Sequence, residues 1–92
     1  MDDKDIEERG RDPNPWHPIT DVIDLKHLGK LGEECNELGA AISRAIIQGM
    51  DGVNPDTGKI NRNWIEDEIA DVLANTWLVR VRFNLDHDRI TQ

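Results

Sequence analysis

Two short runs hold the residues of this chain best suited to chemistry. Glu33-Glu34-Cys35-Asn36-Glu37, framed by Leu31 and Leu38, and Glu66-Asp67-Glu68-Ile69-Ala70-Asp71 each contain two carboxylates three residues apart, Glu34/Glu37 and Glu68/Asp71. On a helix, residues three apart share a face with their Cβ atoms about 5–6 Å from each other. Like charges held so close repel. Neither pair has a base four residues on, where Leu38, Ala41, Val72 and Asn75 stand. A cation is therefore expected to offset them, and two such pairs facing each other suit a magnesium ion. Oxygen ligands without Cys or His favour Mg²⁺, with Mn²⁺ as the substitute, over zinc. A di-iron carboxylate bundle calls for Glu-x-x-His, where this chain has Glu37 and Asp71, and is set aside. The plainer reading of either pair is a solvated acidic face. Position argues against it, because both pairs border an apolar stripe.

That stripe follows from the elements that must carry the carboxylates. Thr20 is placed to cap a helix, Gly49 to stop it, and the residues between are good helix formers, so the pattern predicts one helix over 21–48. Gly29, Gly32 and Gly39 weaken it, with a kink or break near 29–32 as the expected site of strain. With Leu31 as the zero of a wheel at about 100° per residue, Leu28, Cys35, Leu38, Ile42, Ala45 and Ile46 lie within about 60°. Glu34 and Glu37 fall at about 300° and 240°, flanking the stripe together with Lys30, while Glu33 points away at about 200°. Cys35, inside the stripe, reads as a packed small hydrophobe.

A second helix is predicted from Asn63, with Glu66 completing a capping-box-like pattern. Ile65, Ile69, Val72, Leu73, Thr76, Val79 and Phe83 form its apolar arc, and Glu68, Asp71 and Asn75 gather on the same flank as the acids of the first helix. Antiparallel packing of matched arcs brings the acidic flanks together. Asn84 is the expected C-cap, and Asp86 caps a short third helix. The fold class is thus all-α: a hairpin of two long helices plus a short C-terminal helix.

Between the long helices, residues 49–62 are dense in turn formers and make a long loop for so small a domain. Gly52 and Gly58-Lys59 imitate a phosphate loop, but the glycine spacing is wrong and Ile60 stands where Ser or Thr is needed. Asp51, Asn54 and Asp56 imitate a calcium loop without its central Gly and terminal Glu. Residues 1–18 are polar and carry Pro13, Pro15 and Pro18, which reads as an extended arm ahead of a single domain at 19–92. Within the arm, Trp16 either docks on a neighbouring subunit or stacks on a nucleobase. His17 reads as a surface residue.

The whole chain has 92 residues, 37% of them hydrophobic, with one Phe and no Tyr. So little bulk makes a poor private core, and partner subunits are expected to complete it. A net charge of −8 argues against a nucleic-acid polymer as partner, though not against a nucleotide bound through metal. Only one cysteine is present, no apolar run approaches the roughly 18 residues of a membrane span, and a signal-peptide pattern is missing. A soluble, cytoplasmic protein is the expectation.

Glu-Glu-x-x-Glu-Leu on one helix and Glu-Ile-Ala-Asp-Val-Leu on the next resemble the MazG-like all-α nucleoside triphosphate pyrophosphohydrolases, over residues 28–86. The Asp-Gly-Val-Asn-Pro-Asp-Thr-Gly-Lys loop is similar to that of small phage or prophage members, which implies a bacterial or phage-infected host cell. The resemblance implies Mg²⁺-dependent cleavage of a (deoxy)nucleoside triphosphate at the α–β phosphoanhydride, giving monophosphate and pyrophosphate. It also implies a homodimer or homotetramer whose helices merge into a four-helix bundle. Carried over by motif position, Glu34, Glu37, Glu68 and Asp71 hold metal and perform catalysis, and Asn75 sits near the substrate. Lys30, Lys59 and Arg62 are the candidates for phosphate contact, with Trp16 the candidate for base contact. The gap between the two motifs, 38–67, is longer than in compact members because of the loop. The alternative is a helical module that binds nucleotide or metal without turnover.

Overall fold

The computed structural model describes residues 15–92, so most of the proposed N-terminal arm lies outside the described residues. Three helices follow in order: α1 (Val22–Gln48), α2 (Asn61–Arg82) and α3 (His87–Ile90). Among the described residues there is no strand, and the only extended pairing is a single antiparallel bridge between Val53 and Ile60. The predicted all-α hairpin with a short last helix is therefore present.

The caps differ in detail from expectation. Asp21, not Thr20, caps α1, its Oδ1 accepting the Asp24 N–H at 2.9 Å. A carboxylate there satisfies an orphan donor and also faces the positive end of the helix. No break occurs at Gly29–Gly32, and α1 runs unbroken for 27 residues. It stops at Gly49, whose φ of 87° favours glycine and whose N–H returns to the Ala45 carbonyl at 2.7 Å. At the other end of the hairpin, Arg82 Nε donates to Asp24 Oδ1 at 2.7 Å and its Nη2 to Asp21 Oδ1 at 3.4 Å. One cap thus also ties α2 to α1.

The Asp24 backbone N–H, followed by the Arg82 charge, holds the Asp21 carboxyl below its ordinary value of 3.8. A depressed folded pKa means stability that is present above 3.8 and lost as the pH falls through the folded value. Asp21→Asn keeps a good cap but loses the charge, whereas Asp21→Ala loses both. Thermal melts at neutral pH should rank wild type above Asp21→Asn above Asp21→Ala. The gap between wild type and Asp21→Asn should close in acid; a gap independent of pH would show that the charge contributes nothing.

α2 begins two residues earlier than the pattern suggested, with Ile60 as its N-cap residue and no side-chain cap. Loop carbonyls do the capping instead. The Asn61 N–H donates to the Gly52 carbonyl at 2.9 Å and the Arg62 N–H to that of Met50 at 2.8 Å. Asn61 is fully buried and its Nδ2 donates to Gly49 O at 3.0 Å and Gln48 Oε1 at 3.2 Å, pinning the start of α2 to the end of α1. The C-terminus of α2 is a Schellman motif. Phe83 is the C-cap residue, Asn84 follows in the left-handed region at φ 50°, and the Leu85 and Asn84 N–H groups reach the Arg80 and Val81 carbonyls at 3.0 and 3.3 Å. Asn84 therefore lies one position beyond its expected place. Asp86 caps α3 as predicted, accepting from the N–H groups of Asp88 and Arg89.

The loop is folded on itself. Asn54 N–H donates to Lys59 O at 2.9 Å, Gly58 N–H to Asn54 O at 2.8 Å, and Asn54 Oδ1 accepts the Asp56 N–H at 2.8 Å. Turn chemistry is thus the account of these residues.

Few apolar side chains are buried between α1 and α2: Ala41, Ala45 and Val79. The helices meet along the small side chains of α1, which leaves bulkier members of its apolar stripe outside. Ile42, Ile46, Ile69, Leu73 and Trp77 all remain exposed, Ile46 by 80% and Leu73 by 64%. Cys35, expected to be packed, is exposed as well, because a single neighbouring helix covers less of α1 than the stripe is wide. None of the described helices is long and apolar enough to cross a membrane.

Candidate functional site

Glu34 sits deeper than a flanking position. It is only 4% exposed, lying in the same packed line as Ala41 and Ala45 at helical spacing. From α2, Glu68 comes forward half-buried, and Glu37 stands one turn from Glu34 on the open side. One carboxylate oxygen from each of Glu34, Glu37 and Glu68 lies within 4.8 Å of the other two. The structure thus brings together three of the four predicted carboxylates from both helices. Asp71 is exposed and is not part of that triad.

The triad is incompletely partnered. Oε2 of Glu34 and Oε2 of Glu68 are both buried without a hydrogen-bond partner. An orphaned buried carboxylate oxygen is costly, and a cation is a natural complement for it. The donor set is all oxygen, the kind that favours hard cations such as Mg²⁺ or Mn²⁺ over zinc.

Lys30 supplies part of the missing charge. Its Nζ lies 2.9 Å from Glu34 Oε1 and 3.9 Å from Glu33 Oε1, a partner placed four residues before Glu34 rather than after it. The Lys30 contact holds the Glu34 carboxyl below its ordinary range against the opposing effect of burial. Glu37 moves the other way, raised by the neighbouring Glu34 charge, by burial and by Glu68. Two acids one turn apart are thus driven in opposite directions by their different neighbours.

The remaining candidates divide sharply. Lys59 pairs with Asp67 and feels the charges of Glu68 and Asp71, which places its ammonium beside the acidic cluster. Arg62 turns away, its guanidinium bidentate on Asp51 at 3.1 and 3.4 Å. Asn75 folds back on its own helix, Nδ2 donating to the Asp71 carbonyl at 2.8 Å. Trp16 lies 71% exposed before α1.

An open cleft of about 590 Å³ adjoins the triad, lined by Asn54, Thr57, Gly58, Lys59, Trp64 and Glu68. Sequence reasoning singled out Lys59 and Glu68 but missed Trp64, Asn54 and Thr57 as parts of one surface. A signal for Trp64 was available: it stands four residues before Glu68 and so shares its face of α2. Comparison of the chain with family models, with curated proteins and with solved structures finds no match.

Proposed function

We propose that this chain is a Mg²⁺-dependent nucleoside triphosphate pyrophosphohydrolase of the MazG-like type, cytoplasmic and acting as a homo-oligomer. The observation that carries the reading is the convergence of Glu34, Glu37 and Glu68 from two helices, with two buried oxygens lacking donors. Glu34 and Glu68 are the fixed ligands. Glu37, more exposed and with its carboxyl raised, accepts the proton of the attacking water. Asp71, exposed one turn past Glu68, stands outside the three-carboxylate cluster. A divalent cation at this site supplies charge neutralisation on the phosphate oxygens and an acidified water. Water adds to the α-phosphorus, the bond to the bridging oxygen breaks, and pyrophosphate leaves with that oxygen. Lys59 at the cleft edge, and Lys30 once released from Glu34, are the cations available to the phosphates.

Pyrophosphate release from a panel of canonical and modified (d)NTPs, with Mg²⁺ and with EDTA, tests the proposal. Metal-dependent release from any member supports it. Nucleotide-induced thermal stabilisation without release would favour a non-catalytic binding module instead.

The exposed apolar residues support the oligomeric part. By helical geometry Cys35, Ile42 and Ile46 of α1 and Ile69 and Leu73 of α2 lie on the side of the hairpin opposite Glu37. An exposed apolar row spanning both helices is the kind of surface that association covers. A dilution series should lower the melting temperature progressively, and a value independent of concentration would refute an obligate oligomer.

A further inference from the structure

We propose that the folded loop between α1 and α2, together with Trp64, forms the nucleobase-binding wall of the cleft, with Trp64 as the stacking platform. This rests on the nucleotide reading above and adds to it the part of the substrate that the carboxylates do not touch.

The lining of the cleft is chemically mixed. Glu68 and Lys59 are charged, the latter in the field of Asp67, Glu68 and Asp71. Trp64, Thr57, Gly58 and the buried Asn54 are aromatic, small or neutral polar. Trp64 and Glu68 are four residues apart on α2, about 6 Å along the axis. That is about the reach from a base across one sugar to its first phosphate. An indole ring so placed offers a flat face to any base, because every base has a π-face of its own.

The loop side of the cleft is thin and fixed in shape. Gly58 has no side chain, and its φ of 72° is one that glycine favours. Its N–H is held by Asn54 O, and Asn54 Oδ1 is held by the Asp56 N–H. Thr57 Oγ1 accepts the Lys59 N–H at 3.2 Å, which leaves the hydroxyl hydrogen to donate toward an exocyclic carbonyl or ring nitrogen. An aromatic residue of α2 and a glycine-bearing turn thus line one cleft, a lining that suits a planar heterocycle. The volume of about 590 Å³ lies inside the range of small-molecule sites, roughly 300–1,000 Å³. Asn61 ties the start of α2 to the end of α1, which fixes the two ends of the loop relative to each other.

The test is equilibrium binding, with Mg²⁺, of α,β-methylene nucleoside triphosphates carrying purine and pyrimidine bases, beside inorganic tripolyphosphate as a base-free probe. Wild type should bind at least one nucleotide more tightly than tripolyphosphate, with quenching of tryptophan emission. Trp64→Ala should weaken that nucleotide about tenfold or more and leave tripolyphosphate within about twofold. Trp64→Phe, which retains an aromatic ring should the smaller variant fold poorly, should show an intermediate loss and little quenching. If either folded variant keeps the wild-type preference for nucleotide over tripolyphosphate, the inference is overturned. Pyrophosphate release by wild type in that case leaves the nucleotide reading standing. If wild type binds no nucleotide and releases no pyrophosphate, both fall.

Discussion

Replacing Glu34 or Glu68 by Gln lowers Mg²⁺-dependent pyrophosphate release by at least about a hundredfold, with the far-ultraviolet circular dichroism of a folded helical protein retained. Each glutamine keeps the shape of the side chain and removes a charged oxygen from a cluster that has two buried oxygens without donors. The metal-free stabilities should separate Glu37 from Glu34. Glu37 has a raised carboxyl, so the folded state binds that proton more tightly, and its ionisation destabilises the metal-free fold as the pH rises above the ordinary value of 4.5. Glu37→Gln removes the penalty and should raise the melting temperature in EDTA at neutral pH, with the gain vanishing below 4.5. Glu34 is held low chiefly by Lys30, so its contribution is stabilising above 4.5 and is lost as the pH falls through its folded value. Glu34→Gln should lower the melting temperature in EDTA at neutral pH. Wild-type turnover in both Glu34→Gln and Glu68→Gln would remove the metal assignment, and identical melting shifts for Glu34 and Glu37 would remove the electrostatic one.

Asn61→Ala should cause the largest loss of stability of any single side-chain truncation in the loop. It strips the donor from Gln48 Oε1 and from the Gly49 carbonyl and leaves a hole where the side chain was fully buried. A neutral hydrogen-bonding side chain removed from such a place costs about 1–3 kcal/mol. For a domain of this size that corresponds to a melting temperature lower by about 10 °C. Asn61→Asp refines the measurement. An ionised carboxylate faces the same two acceptors and repels both, so this variant should be worse at neutral pH than in acid, where the protonated group regains a donor. Asn61→Ala melting within about 2 °C of wild type would show that the joint is held by the loop backbone alone.

The ends of the two long helices were legible in the sequence to within a few residues, because capping and hydrophobic periodicity are local. Gly49 stops α1 and Asp86 starts α3 for reasons contained in a few neighbouring residues. The two acidic motifs were legible as pairs for the same reason: three-residue spacing on a helix needs no tertiary information. Tertiary structure decided how the pairs combine. The wheel centred the α1 contact on Leu31, with Ala45 on the Glu34 side of the stripe, whereas the helices meet on Ala41 and Ala45, and that rotation moves Glu34 from the flank into the joint. It also leaves Asp71 outside the triad and Cys35 in the open. The start of α2 was misjudged at Asn63 because its first N–H groups are satisfied by Gly52 and Met50, carbonyls that only a folded loop can deliver. Arg62 and Lys59 look alike as basic loop residues, yet Asp51 takes the first away and the hairpin carries the second to the cleft. Partner choice among nearby charges depends on distances that only the folded chain defines. For the same reason Trp64, unremarked in a helical pattern, became part of a site only when residues 54–59 folded against it.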